Sequence, residues 1–266
     1  MNRISQKFAE LKNRQEKALV AYITAGDPDY ERSLELISAA CANGVDILEL
    51  GVPFSDPTAD GPVIQEAAIR ALSTGMNIEK SFKMVADIRV RFPQLPIVLF
   101  SYYNPLFQYD AAELFARCQK VGVDGLLVVD LPPEEAQEIT AHFPNPAALP
   151  LIRLVAPTTP VERKQRIAHD AQGFLYLITR TGVTGTGGLD VDYIAHHARE
   201  LRAQTSVPIC LGFGISTAKD IRQLAPHADG LIVGSALVKL VAEHKDNPDL
   251  TKIIAQAVCE LKAACK

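Results

Sequence analysis

No apolar run in this 266-residue chain is long enough to cross a bilayer. The first residues, Met1 to Phe8, lack the apolar core of a signal peptide. A cytoplasmic protein with no membrane partner is therefore expected. There is no run of Lys or Arg either: 27 basic residues stand against 31 acidic ones, for a net charge of −4. That balance gives no reason to expect nucleic acid or an acidic surface as a partner. The five cysteines, Cys41, Cys118, Cys210, Cys259 and Cys265, form no CxxC pair, and their number is odd. This argues against a disulfide framework or a zinc site, and no metal is expected. What remains is ordinary for a soluble globular protein with a substantial core, 48% apolar and 22% charged residues.

The stretch richest in chemical information is Leu48-Glu49-Leu50-Gly51-Val52-Pro53-Phe54-Ser55-Asp56-Pro57-Thr58-Ala59-Asp60-Gly61-Pro62. It begins as the aliphatic strand Val45 to Leu50, which a carboxylate, Glu49, interrupts just before its end. A carboxylate there is costly unless a cation or hydroxyl holds it or catalysis uses it. A loop rich in Pro, Asp and Gly follows, and Pro62 suits the first position of a helix.

No literal repeat is visible, but one pattern recurs. Gly-Val-Asp-Ile-Leu at 44–48, Gly-Val-Asp-Gly-Leu at 122–126 and Ala-Asp-Gly-Leu-Ile at 228–232 each follow an amphipathic segment and open an aliphatic run. Apolar runs of this length without alternation predict strands covered on both faces, as in a parallel sheet. Strands are predicted at 19–24, 46–50, 97–100, 125–129, 148–154, 174–178, 209–212 and 230–233. Helical patterns follow each, at 31–42, 64–73, 111–120, 133–142, 161–169, 192–204, 217–224 and 236–244. Strand and helix alternating in this way predict an α/β fold, a (β/α)8 TIM barrel formed as one domain over residues 1–266. The alternative is an open, doubly wound sheet with fewer strands. An extra N-terminal helix, with Ile4, Phe8 and Leu11 on one stripe, is predicted to cover the barrel bottom.

This frame sorts the acidic residues. Asp46, Asp124 and Asp229 lie at strand starts, on the face that serves stability. Glu49, Asp60 and Asp130 lie at or just beyond strand ends, where barrels carry chemistry. Late in the chain, three glycine-rich segments follow the last three strands: Thr181 to Gly188, Gly212 to Ser216, and Gly234-Ser235. Glycines let backbone N–H groups approach an anion, and a helix N-terminus adds its positive end. Together they predict a phosphate group in the ligand, and the first of them has the composition of a closing loop. Tight turns are the plainer reading of any one of these glycines.

The Leu48 to Asp60 segment, with Arg180-Thr181-Gly182-Val183-Thr184-Gly185, Gly212-Phe213-Gly214-Ile215-Ser216 and Tyr22-Ile23-Thr24-Ala25-Gly26-Asp27-Pro28, resembles the α subunits of tryptophan synthase along nearly the whole chain. The resemblance implies a lyase of tryptophan biosynthesis that splits indole-3-glycerol phosphate into indole and glyceraldehyde 3-phosphate. It implies Glu49, Asp60 and Tyr176 as catalytic residues. Tyr22, Phe100, Leu127, Thr184, Gly185, Phe213, Gly214, Gly234 and Ser235 match substrate-binding positions, with Leu154 and Arg180 beside them. Tyr22 stands where the family pattern leads one to expect Phe, and Phe100 is bulkier than the aliphatic residue common at its position. Arg153, inside an apolar strand, has no role in the pattern. A β subunit is the implied partner, in an α2β2 heterotetramer docked through Pro53, Asp56, Asn104, Phe107 and Pro132. Pyridoxal phosphate would belong to that partner, with no cofactor in this chain. Rival readings are a free-standing lyase, another phosphate-binding barrel, or a mainly regulatory subunit.

Overall fold

Every strand but β5 is buried on both faces nearly throughout, so each must be covered from two sides, and the chain meets that demand by closing the sheet on itself. The computed structural model describes residues 2–179 and 189–266. In chain order the elements are α1 (Arg3–Asn13), β1 (Ala18–Thr24), α2 (Tyr30–Ala42), β2 (Ile47–Gly51), α3 (Pro62–Ser73), α4 (Ile78–Arg91), β3 (Ile97–Ser101), α5 (Tyr103–Phe107), α6 (Ala111–Val121) and β4 (Gly125–Val128). There follow α7 (Gln137–Thr140), β5 (Arg153–Val155), α8 (Val161–His169), β6 (Leu175–Ile178), α9 (Val191–Arg202), β7 (Ile209–Gly212), α10 (Ala218–Leu224), β8 (Gly230–Val233), α11 (Ser235–His244) and α12 (Leu250–Ala263). The strands are parallel, in the order β4-β3-β2-β1-β8-β7-β6-β5. A single bridge, Leu126 with Leu151, joins the two ends. There Leu126 N–H donates to Pro150 O at 2.9 Å and Ile152 N–H to Leu126 O at 2.7 Å. This is the barrel that the alternation predicts.

Alternation along the strands divides the core in two. Val20, Tyr22, Ile47, Val98, Phe100, Leu127, Tyr176, Cys210 and Ile232 fill the barrel interior. Leu19, Ala21, Leu48, Leu50, Leu99, Leu126 and Leu211 face outward into the layer under the helices. The bottom of the interior is sealed by α1: Ile4, Phe8 and Leu11 are buried, and the Phe8 ring lies 6.0 Å from that of Phe174.

The recurring Asp has a mechanical explanation. Asp46, Asp124 and Asp229 each exchange two hydrogen bonds with one residue of the preceding strand. The carboxylate accepts from the N–H of Leu19, Ile97 or Ile209, and the Asp N–H donates to the carbonyl of that same residue. Each carboxylate also holds a cation: Lys262 for Asp46, Arg3 and Arg89 for Asp124, and Arg202 for Asp229, at 2.7–2.8 Å. Three strand starts are thus fixed in register and their buried charges are paired.

Two predicted elements differ from those observed. The helix predicted over 133–142 is a 3₁₀ turn, Pro133–Glu135, followed by the single turn of α7. The strand predicted over 148–154 shrinks to β5, preceded by a 3₁₀ turn at Pro146–Ala148. Pro146 and Pro150 have no N–H to give a ladder, so regular pairing begins only after them. The structure also adds α4 before β3, α5 directly after it and α12 at the end, beyond one helix per strand. No helix among the described residues is long and apolar enough to cross a membrane.

Candidate active site

Glu49 follows Ile47 on the inner face of β2, with Tyr22 of β1 and Val98 of β3 as its lateral neighbours. It is 1% exposed, and its Oε1 is buried without a hydrogen-bond partner among the described residues. Burial without a compensating cation disfavours the carboxylate, and the pKa is pushed up to about 8. A carboxyl in this state carries a proton at neutral pH and can give it up and take it back.

Asp60 reaches the barrel mouth because its loop turns back over β2. Thr58 N–H donates to Asp56 O, Asp60 N–H donates to Pro57 O, and Gln65 Nε2 donates to Asp60 O at 2.8 Å. Asp60 does not cap the next helix; Gly61 occupies that position. The Tyr102 hydroxyl, just past β3, donates to Asp60 Oδ2 at 3.0 Å and accepts from Ala59 N–H at 2.9 Å. Partial burial raises the Asp60 pKa to about 6, and the Tyr102 hydrogen bond opposes the rise. Two carboxyls a short loop apart thus hold their protons over different pH ranges. Tyr102 was not among the residues singled out in the sequence. Its only signal there was an aromatic immediately after an apolar strand, a position common to core residues.

Tyr22 of β1 stands beside Glu49, and Tyr176 of β6 also lines the barrel interior. Burial raises both phenols, and the Glu49 and Asp60 carboxyls act on both in the same direction, so the four groups share one space. Both tyrosines need room in a neighbouring strand. A Cβ at Gly51 would collide with the Tyr22 hydroxyl, and one at Gly212 with the Tyr176 hydroxyl. Gly212 therefore serves the tyrosine as well as the turn after β7. The Tyr22 and Phe100 rings meet edge to face at 5.2 Å, Leu127 is fully buried beside them, and Leu154 is half-buried on the inner face. Phe213 stands above, 39% exposed, its ring 6.0 Å from Tyr176. Its φ of +75° is unusual for an aromatic residue and is followed by Gly214 at +77°. The Thr179 hydroxyl ties this turn down by donating to the Gly212 and Phe213 carbonyls.

The two helix starts beneath the glycine segments differ. At α10, Thr217 and Asp220 form a capping box, and the Asp220 carboxylate accepts from the N–H groups of Ser216 and Thr217. At α11, Gly234 caps without any side-chain bond, and Ser235 begins the helix in the open. Gly234 lies against Tyr22, since a Cβ there would be 3.2 Å from the Tyr22 Cβ. The first-turn donors of α11 are thus the ones available to an anion at the mouth. Arg180, Thr184 and Gly185 lie outside the described residues.

Asp130, the third acid at a strand end, is exposed and accepts from Tyr103 N–H at 2.7 Å, which fixes the start of α5. On the surrounding rim Asp56, Asn104 and Phe107 are exposed, Phe107 by 68%; Pro132 is half-buried and Pro53 is buried. No cluster of metal-ligating side chains occurs among the described residues.

The fold and this mouth define a (β/α)8 barrel with a buried acid pair, two phenols, apolar walls and an open helix N-terminus at the C-terminal ends of its strands. The family model for the tryptophan synthase alpha chain matches residues 8–266. The tryptophan synthase alpha chain of Desulfosudis oleivorans is 52% identical over 266 residues, and that of Desulfatibacillum aliphaticivorans 47%, each covering 100% of both chains. The crystal structure of tryptophan synthase subunit alpha from Legionella pneumophila is similar with a TM-score of 0.91 and 35% identity, over 100% of this chain and 98% of that one. This chain belongs to the tryptophan synthase alpha chain family.

Proposed function

We propose that this chain is a carbon–carbon lyase that cleaves indole-3-glycerol phosphate to indole and glyceraldehyde 3-phosphate. The observation that carries the proposal is Glu49: a buried carboxyl whose Oε1 has no partner among the described residues, with a pKa of about 8, in a barrel that also holds Asp60 and Tyr176. Protonated Glu49 delivers its proton to indole C3. The positive charge that then builds on the ring nitrogen is held by ionised Asp60, which accepts the indole N–H. Glu49, now a carboxylate, takes the proton from the hydroxyl on the adjacent glycerol carbon. The bond between that carbon and C3 breaks, its electron pair returns to the ring, and an aldehyde is left. Tyr176 lines the path beside Glu49.

Tyr22, Phe100, Leu127 and Phe213 supply a flat apolar slot for the indole. The α11 start at Gly234-Ser235, with Gly214, receives the phosphate, and Thr184 and Gly185 complete the closure. Docking on a β subunit through the Asp56, Asn104, Phe107 and Pro132 rim, in an α2β2 assembly whose β chain carries pyridoxal phosphate, would let indole pass on without release. This chain needs no cofactor for its own step.

The test is indole release from indole-3-glycerol phosphate by the purified chain and by its Glu49→Gln variant, each with and without a β subunit. Release by the wild type that Glu49→Gln abolishes is expected, and stimulation by the β subunit measures the coupling. No release in any arm would sink the assignment.

A further inference from the structure

Arg153 opens β5 beside its register partner Leu175, which belongs to the outer core, so its side chain leaves the sheet toward the segment before α7 and toward α8. It is half-buried and makes no hydrogen bond or ion pair with any described residue. Glu134 and Asp170 are the carboxylates that act on it, and neither is within ion-pair reach. Glu134 is already engaged by Arg163 at 3.0 Å and by Arg166 at 3.6 Å. Burial works against the Arg153 charge, yet a guanidinium cannot shed it as a lysine or carboxyl can. Arg163 has its Nε buried with no partner among the described residues. Arg153 and Arg163 line one cavity of about 270 Å³, floored by Leu131, Ile152 and Pro132 and bounded by Asp130.

A charged side chain held in a half-buried cavity without a counterion is costly, and an anion in that cavity removes the cost. Asp130 is itself anionic and has one oxygen committed to Tyr103 N–H, so a singly charged group suits the cavity better than a phosphate dianion. A guanidinium fork also matches the two oxygens of a carboxylate. We propose that this cavity, at the β4–β5 seam on the edge of the barrel mouth, is a carboxylate-binding site held by Arg153 and Arg163. Pro132, on its edge, also belongs to the rim, so the carboxylate comes either from a small free acid or from an acidic side chain of a docked subunit.

Arginine side-chain NMR reads the site directly. The Nε–Hε signals of Arg153 and Arg163, assigned with Arg153→Lys and Arg163→Lys, are followed during titration with acetate and, at matched ionic strength, with chloride. Both signals are expected to move on one saturating curve with acetate and to stay in place with chloride. Arg153→Met should weaken the Arg163 response by at least about tenfold. Arg163→Met, read at Arg153, gives the reciprocal measurement should the first variant fail to fold. A β subunit that moves both signals and blocks the acetate response identifies the docked side chain as the source; a free acetate response that survives docking identifies a small acid. The proposal is overturned if neither acetate nor the β subunit moves the signals more than chloride does. It is equally overturned if either arginine responds unchanged without the other.

Discussion

At neutral pH the Glu49 carboxyl keeps its proton because it is fully buried with no cation beside it among the described residues, whereas Asp60 ionises sooner because it is less deeply buried and the Tyr102 hydroxyl donates to it. If the first acts as an acid and the second as an anion, kcat/KM for indole release is bell-shaped, with limbs near about 6 and about 8. Tyr102→Phe removes a bond that favours ionised Asp60, so the acidic limb should move to higher pH while the alkaline limb stays. A limb unmoved by that change would dissociate Asp60 from it. Glu49→Gln should lower kcat by about 10²–10⁴-fold, and the same variant tests the burial argument without any substrate. The folded-state pKa of Glu49 lies above its ordinary value of 4.5, so its neutral form is stable below that value and a cost grows as pH rises toward about 8. Chemical denaturation should therefore find the two proteins similar near pH 4.5. The Gln variant should gain on the wild type up to about pH 8 and hold a constant lead beyond it, of order a few kcal/mol. The positions of Glu49 and Asp60 at and beyond a strand end were legible in the sequence because the aliphatic run before them marks the strand. Asp130, which fixes the start of α5, shows that such a position alone does not assign chemistry. Tyr102 was not legible, since what distinguishes it is a contact with a loop more than forty residues earlier in the chain.

The strands were placed well where they are short, aliphatic and bounded by glycine: 209–212 and 230–233 match β7 and β8 residue for residue. They were misplaced at 148–154, where prolines leave carbonyls to pair but no N–H groups. The glycines illustrate a similar limit. Gly212 reads as part of an anion cradle, yet the atom nearest to a Cβ built there is the Tyr176 hydroxyl, from the neighbouring strand. Gly212→Ala should thus destabilise the fold by about 1–3 kcal/mol through overpacking and lower kcat by displacing Tyr176. Thermal unfolding and turnover measured together check this; a variant with normal stability and a raised KM alone would return Gly212 to the cradle.

The barrel as a whole is not equally strong around its circumference. The β1–β2 pair runs in register over five residue pairs, whereas β4 meets the segment before β5 through one bridge and two hydrogen bonds. Opening at that seam exposes little and breaks little. Native-state hydrogen exchange should therefore be faster at the amides of Leu126 and Ile152 than at those of Leu48 and Leu50. Equal protection would mean that the ring opens only by global unfolding. The seam borders the Arg153 cavity and the Pro132 rim, so any ligand or subunit seated there would act on the weakest join of the barrel.

The order of the eight strands, the covering helix and the position of two acids at strand ends were determined by the sequence alone, because each follows from local rules: burial on both faces, a 3.6-residue stripe, a charge where apolar residues are expected. The tertiary structure alone decided how those pieces act on one another. Only there do Tyr102 and Asp60 meet, does Gly212 yield space to Tyr176, does α11 keep its N-terminus open while α10 closes its own, and does Arg153 lack a counterion among the described residues. These are relations across strands and loops, and a parallel barrel brings together residues that the chain keeps far apart.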